Sequence, residues 1–378
     1  MQFIDLYAQQ KLIRDKIERN IKKVLDHGKY IMGPEVKELE EKLADFVGVK
    51  YAIGCSSGTD ALLMALMNFN VGYGDYIITT PFTFIATAEV ILLLGAKPIF
   101  VDIDERTYNI DPDRIEDFLK DPVDPATNKF IELDRIKGII PVDIYGLPAD
   151  YDRINKIARK YNLFVIEDAA QSFGAEYKGR KACSLSDLGC TSFFPAKPLG
   201  CYGDGGMIFT DDVRIAERLE SIRIHGKGKH KYDNVIVGLN GRLDTIQAAV
   251  LLAKFNIFSH EIDLRQKVAK KYSDALKDNF YLQEVPKSYK SAWSQYSIRS
   301  KKTSRDYYLR LLEDNNVSTA IYYQKPLHLQ KTFNYLGYGL GDFPVSEKCS
   351  EGIFSLPFYP YINEKEIKLV IDILKKFL

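Results

Sequence analysis

Three short stretches carry side chains whose chemistries complement one another. In SFFPAKPLGCYGDGG, Lys197 stands between two prolines in aromatic, glycine-rich surroundings, an odd address for an ammonium that prefers water. Burial there lowers its pKa and leaves a nucleophilic amine, which a Schiff base to an aldehyde requires. Ser192 and the nearby glycines could bring further donors to a phosphate. Taken alone, the same text also describes a lysine on a solvated Pro-Gly loop.

The run LFVIEDAAQS ends on Glu167 and Asp168. An acid at the mouth of an apolar strand can hold a protonated ring nitrogen charged in a dry pocket; it can equally cap the AAQS segment that follows. In CSSGTDALLMAL, the small residues Ser56, Ser57, Gly58 and Thr59 lead into a helix. Free N–H groups at such a helix start form a phosphate cradle, although Ser57 or Thr59 also suits an ordinary N-cap. Cradle, acid and lysine follow in that order at the ends of successive strand candidates, as one cofactor pocket would need.

The elements that must position them are short apolar runs, YAIG, DYIITT, KPIFVDI, KGIIPVDI, LFVIEDA and GMIFT, separated by amphipathic stretches between about residues 50 and 210. Such runs suit a mostly parallel sheet covered by crossover helices, an α/β fold whose ligands collect at the carboxyl ends of the strands. Thr59, Phe84, Asp168 and Lys197 lie just beyond those ends. RLDTIQAAVLLAKF reads as an apolar helical stretch and EIDLRQKVAKKYSDALKD as a charged amphipathic helix bridging two lobes. The expected division is a large domain over 1–254 and a smaller C-terminal α+β domain over 255–378, with the strand SQYSIRS and a closing helix EKEIKLVIDILKKF.

Composition excludes several function classes. The 378 residues are enough for a buried site, and 52 basic against 51 acidic side chains leave no field favouring nucleic acid or an anionic membrane. The most apolar stretch, Ile85 to Val101, is broken by Glu89, Gly95, Lys97 and Pro98, unlike a spanning helix of roughly 20 apolar residues. The five cysteines, Cys55, Cys183, Cys190, Cys201 and Cys349, lack C-x-x-C spacing, and the N-terminus lacks a signal-like apolar core. Reduced thiols, a cytoplasmic location and no metal site are the expectation. The absence of G-x-G-x-x-G between a strand and a helix in the first βαβ unit argues against a dinucleotide-dependent dehydrogenase.

The texts GPEVKELEEKLADFVGVKYAI, SGTDAL, PFTFIATAE, GAKPIFVDID, VIEDAAQSFGA, TSFFPAKPLGCYGDGG, NGRLDTIQAAVL and PLHLQ together resemble the DegT/DnrJ/EryC/StrS sugar aminotransferases of the fold-type I pyridoxal-phosphate superfamily, over essentially the whole chain. The resemblance implies an aspartate-aminotransferase-like fold and pyridoxal 5'-phosphate as cofactor. It implies that Lys197 is the Schiff-base lysine and proton shuttle, Asp168 the partner of the ring nitrogen, Gln171 a contact of the ring hydroxyl and Phe84 the stacking aromatic. Gly58, Thr59 and Ser192 would hold the phosphate. Asn240 would reach the phosphate of a neighbouring subunit, which implies a homodimer with shared active sites.

Lys197, where some homologues carry histidine and remove a hydroxyl, implies transamination: L-glutamate gives its amine, leaves as 2-oxoglutarate, and a nucleotide-linked keto-sugar accepts it. SFFPAKPLGCYGDGG, the opening FIDL and NGRLDT are most similar to the branch that aminates C3 of a UDP-2-acetamido-2-deoxy-3-oxo-uronic acid, a step of surface polysaccharide synthesis such as lipopolysaccharide. The alternatives are C3 or C4 amination of another UDP- or dTDP-keto-deoxysugar, and a regulatory homologue without turnover. The planar fork of Arg242 suits the uronate carboxylate, or else pairs with Asp244 or a helix end. Tyr322 and His328 are the other expected substrate contacts, and Tyr322, Tyr323 and Gln324 replace the family's frequent His-Tyr-Pro. The loop from His225 through GKGKHKY could approach a diphosphate, but Lys-rich loops are ordinarily just solvated.

Overall fold

Apolar runs bounded by turn residues can be stable strands only where both faces find cover, and helices supply it here on each side of one sheet. The computed structural model describes residues 1–230 and 232–376. Its sheet contains β1 (Tyr51–Cys55), β2 (Tyr76–Thr79), β3 (Lys97–Phe100), β4 (Ile136–Ile139), β5 (Phe164–Asp168), β6 (Leu188–Ser192) and β7 (Gly206–Thr210), in the order β1-β7-β6-β5-β4-β2-β3. β7 is antiparallel to both its neighbours, and the other six strands run in one direction. The fold is α/β with a mainly parallel sheet, as the periodicity predicts.

Alternation along β7 shows how the two faces are used. Met207 and Phe209 enter a cluster with Val36, Leu39 and Leu43 of helix α2 (Pro34–Val47), whereas Ile208 faces Leu62, Ala65 and Leu66 of α3 (Gly58–Asn68). α4 (Ala86–Leu93) lies on the α3 side, through Val90 and Ile91. α1 (Leu6–His27) starts under the Asp5 cap, which accepts the Ala8 N–H at 3.1 Å, and stops at Gly28 in the left-handed conformation that glycine tolerates.

The two helical stretches read after Asn240 are one helix, α5 (Thr245–Leu276), 32 residues long. Its first half packs Ala248, Leu251 and Phe258 into the large core, and its second half gives Val268, Tyr272 and Leu276 to a separate cluster. That second cluster covers an antiparallel sheet of β8 (Phe280–Leu282), β9 (Tyr296–Ser300) and β10 (Ile353–Leu356), closed by α6 (Glu364–Lys375). A division after residue 254 therefore falls inside a continuous helix. Met1 and Ile4 also pack against the second cluster, so the chain's first residues sit in the core that α6 closes. Apolar continuity through AKFNIF, with no glycine or proline between the halves, is why the helix does not break.

α2 is tied to β1 by a buried ion pair. Glu40 accepts the Gly54 N–H at 2.8 Å and pairs with Arg223, which also donates to the Gly54 carbonyl at 3.1 Å. Burial raises the Glu40 carboxyl, and the Arg223 charge opposes that rise. Glu40→Ala leaves the guanidinium buried without its carboxylate, so we expect a loss of about 3 kcal/mol in unfolding free energy. Urea denaturation measures it, and an unchanged midpoint would show the pair to be dispensable.

Candidate active site

Because β1, β2, β5 and β6 run the same way, the segments leaving their carboxyl ends converge. A cavity of about 400 Å³ opens there, lined by Gly58, Thr59, Phe84, Asp168, Gln171, Ser192, Lys197 and Tyr322, among others. Eight positions singled out from the sequence thus share one space, although more than a hundred residues separate the outermost of them.

Asp168 is the last residue of β5 and is 5% exposed. Its Oδ1 accepts the Ala170 N–H at 3.2 Å, and its Oδ2 accepts the Thr87 hydroxyl at 2.8 Å. The first bond is the local capping turn that the sequence allowed; the second comes from α4. Burial pushes the carboxyl up, while Thr87, Ala170 and the Lys197 charge pull against that rise. For Lys197 the signs reverse, since burial pushes the amine down and the Asp168 charge holds it up. A lysine with a depressed pKa that shares a cavity with a carboxylate is suited to nucleophilic attack.

At the other end of the cavity, Ser57 caps α3 by accepting the Asp60 N–H at 3.0 Å. The cap leaves the Gly58 and Thr59 N–H groups at the helix start with no acceptor inside the helix, and the positive helix end adds to their pull on an anion. The cap read from this segment is therefore present, and it leaves room for the cradle beside it. Ser192 ends β6 against Gly58, whose missing side chain is required: a Cβ there would lie 2.6 Å from Ser192 Cβ.

Gln171 is held at both ends of its amide. Oε1 accepts the Tyr145 N–H at 2.8 Å, and Nε2 donates to the Tyr323 hydroxyl at 2.9 Å, which leaves one Nε2 hydrogen uncommitted. Tyr145 in turn donates through its hydroxyl to the Tyr322 carbonyl. Phe84 and Phe194 are both more than half exposed although each lines the cavity. Amine, carboxylate, N–H cradle and exposed ring together fit a phosphorylated aromatic aldehyde, the donor set that pyridoxal 5'-phosphate needs.

Three expected contacts lie elsewhere. Asn240 is exposed and Arg242 partly buried, on a segment bridged through its backbone to Ile224 and Cys55 and outside the cavity of its own chain. Arg242 forms no ion pair among the described residues, with Asp244 or any other. His328 is fully buried, with Nε2 at 3.0 Å from Glu347 and its ring against Phe343. Its Nδ1 has no partner among the described residues, but the ring lies outside the cavity lining, so the structure does not bring His328 to the site as the substrate contact expected of it.

Other cavity residues escaped the sequence reading. Thr83 and Thr87 stand one helical turn apart inside PFTFIATAE, a spacing visible in the text but without a partner to give it meaning. Tyr323 was noticed only as a departure. Gln295, whose Oε1 is buried without a partner, arrives from the start of the smaller sheet, and no local signal marks it. Among the described residues no helix is long and apolar enough to cross a membrane, and all five cysteines are buried and unpaired.

Residues 11–375 match the model of the DegT/DnrJ/EryC1/StrS aminotransferase family. The chain is 48% identical to the UDP-2-acetamido-2-deoxy-3-oxo-D-glucuronate aminotransferase of Pseudomonas aeruginosa, over 98% of each protein. It is 40% identical to the pleiotropic regulatory protein of Geobacillus stearothermophilus, over 99% of this chain and 97% of that one. The crystal structure of a DegT DnrJ EryC1 StrS aminotransferase from Brucella abortus superposes with a TM-score of 0.93 at 45% identity, covering 100% of this chain and 99% of the other.

The Gly58 contact yields a test. Gly58→Ala drives a methyl group into Ser192 at the cradle, so affinity for pyridoxal 5'-phosphate should fall by at least about tenfold, the equivalent of 1.4 kcal/mol. Equilibrium dialysis reads it directly, and unchanged affinity would remove the helix start from the binding site.

Proposed function

The chain belongs to the DegT/DnrJ/EryC1/StrS aminotransferase family, and from that premise we propose that it moves the amino group of L-glutamate to C3 of a UDP-linked 2-acetamido-2-deoxy-3-oxo-uronic acid, for surface polysaccharide synthesis in the cytoplasm. It is a fold-type I, pyridoxal-phosphate-dependent nucleotide-sugar aminotransferase. The observation that carries the site assignment is the meeting of Lys197 and Asp168 in one cavity with the N–H cradle of Gly58 and Thr59. The substrate assignment rests on the 48% identity to the Pseudomonas enzyme.

In this reading Lys197 holds the cofactor and afterwards moves a proton between the substrate carbon and the cofactor's aldehyde carbon. Its depressed basicity suits both tasks, since the amine must be neutral to attack and to accept. Asp168 would partner the ring nitrogen, Gln171 would offer its free Nε2 hydrogen to the ring hydroxyl, and Phe84 would cover a ring face. Gly58, Thr59 and Ser192 take the phosphate. When bound, the cofactor supplies the electron sink.

The sites are shared between two copies of the chain. Asn240, exposed and outside its own cavity, would serve the partner's phosphate, and Arg242 on the same segment would meet the uronate carboxylate there. The exposed Leu12, Leu25, Tyr30, Ile31 and Met32, together with Phe84 and Phe194 at the cavity mouth, support a covered face of this kind. Tyr322 stands on the sugar side. A regulatory role without turnover is the second reading, favoured by the likeness to the pleiotropic regulatory protein; retention of Lys197 and Asp168 in the cavity weighs towards catalysis.

The visible spectrum of the purified holoprotein, taken before and after excess L-glutamate, tests the reaction. The cofactor's visible band should be lost on adding glutamate and be missing altogether in Lys197→Ala. A band that glutamate leaves untouched would favour the regulatory reading. Arg242→Ala should raise KM for the uronate at least about tenfold relative to a neutral UDP-keto-sugar, as loss of a paired charge implies. Mixing inactive Lys197→Ala chains with Arg242→Ala chains should recover the low wild-type KM in hybrid dimers, and a KM that stays high would mean the sites are not shared.

A further inference from the structure

The hydroxyl beneath Asp168 belongs to a directed pair. Thr83 and Thr87 are 2% and 1% exposed, so water does not compete for their hydrogens. Their hydroxyl oxygens lie 3.1 Å apart, and the Thr87 oxygen lies 2.8 Å from Asp168 Oδ2. An ionised carboxylate only accepts, so the single Thr87 proton points at Asp168, and Thr83 must then donate to Thr87. The order of donation is thus Thr83 to Thr87 to Asp168.

The same carboxylate receives the Ala170 N–H on its other oxygen at 3.2 Å. Two donors on two oxygens fix the plane of the group and still leave lone pairs open towards the cavity. One donor is local to β5, whereas the other arrives from α4, across the sheet. The Thr87 hydroxyl, whose one proton is committed to the carboxylate, acts on the acid's charge and aim.

We propose that Thr87, backed by Thr83, is a positioning residue for the cofactor's ring nitrogen: its hydroxyl sets the orientation of the Asp168 carboxylate and helps it keep the negative charge that this nitrogen needs. The inference rests on Asp168 facing the ring nitrogen, as proposed above. In this role Thr87 works through Asp168, to which its proton is given. Hydrogen bonding from a neutral hydroxyl to a buried carboxylate is the stronger kind, because the acceptor is charged.

The test compares holoproteins carrying Thr87→Val, Thr87→Ser and Asp168→Asn with the wild type. Two quantities are read: the dissociation constant for pyridoxal 5'-phosphate, and the nitrogen NMR shift of isotope-labelled ring nitrogen, which reports its protonation. Thr87→Val keeps the shape and loses the proton. It should weaken cofactor binding about tenfold and move the ring signal towards that of a neutral pyridine, with Thr87→Ser restoring both. Thr83→Val should give a smaller change in the same sense, and it carries the test if Thr87→Val does not fold.

Wild-type values in Thr87→Val and Thr83→Val, with both readouts changed in Asp168→Asn, would overturn the inference and leave the Asp168 assignment standing. If Asp168→Asn changes neither readout, the assignment itself fails and the inference with it. A loss of affinity in Thr87→Val without any movement of the ring signal would reduce Thr87 to a packing residue, which also overturns the proposal.

Discussion

A buried carboxylate and a partly buried lysine that line one cavity and feel one another's charge set the terms for the rest of the site. Burial pushes the Asp168 acid towards its neutral form and the Lys197 amine likewise, and each is restrained by the other's charge. Neither group could be kept in this balance at the protein surface, where solvent would screen the attraction and ionise both. The sheet exists around that requirement. β5 delivers the acid from the middle of the sheet, β6 leads to the lysine loop, and β7 runs backwards between β6 and β1, so that lysine loop and helix cradle border one cleft.

The cleft combines parts with different degrees of freedom. Gly58 against Ser192 is a contact with no slack, fixed by backbone approach. Gln171 is restrained by two hydrogen bonds from opposite directions. Gln295 keeps an unspent acceptor. The rigid contacts sit at the strand ends, while Gln295 keeps bonding capacity in reserve and Asn240 and Arg242 lie outside their own chain's cavity.

Much of this was legible in the text. Strands with apolar, β-branched runs were read because their burial on two faces leaves a continuous signature, and Asp168 and Lys197 stood out because charged residues in apolar or proline-bounded settings are unusual. β6 was not read: Leu-Gly-Cys-Thr-Ser is small, and its place in the middle of the sheet depends on a glycine whose Cβ would strike the Cys183 backbone at 2.3 Å. The length of α5 was misjudged because a change from apolar to charged composition looks like a break, whereas it records a change of neighbour. His328 looked available for the same reason; its partner Glu347 lies 19 residues away. Thr87 and Tyr323 acquire meaning only from Asp168 and Gln171, more than eighty and a hundred and fifty residues distant.

The continuity of α5 also settles how the two sheets relate mechanically. A linker would let the smaller sheet swing or unfold on its own, but a single helix that gives one half of its length to each core carries strain from one to the other. Tyr272 and Leu276 cannot lose their packing without loosening the register that holds Ala248 and Leu251 in place. The N-terminal residues close the loop by fastening Met1 and Ile4 to the smaller core while α1 lies along the first half of α5. One helix thus gives the smaller core a direct route to the residues packed under the larger sheet.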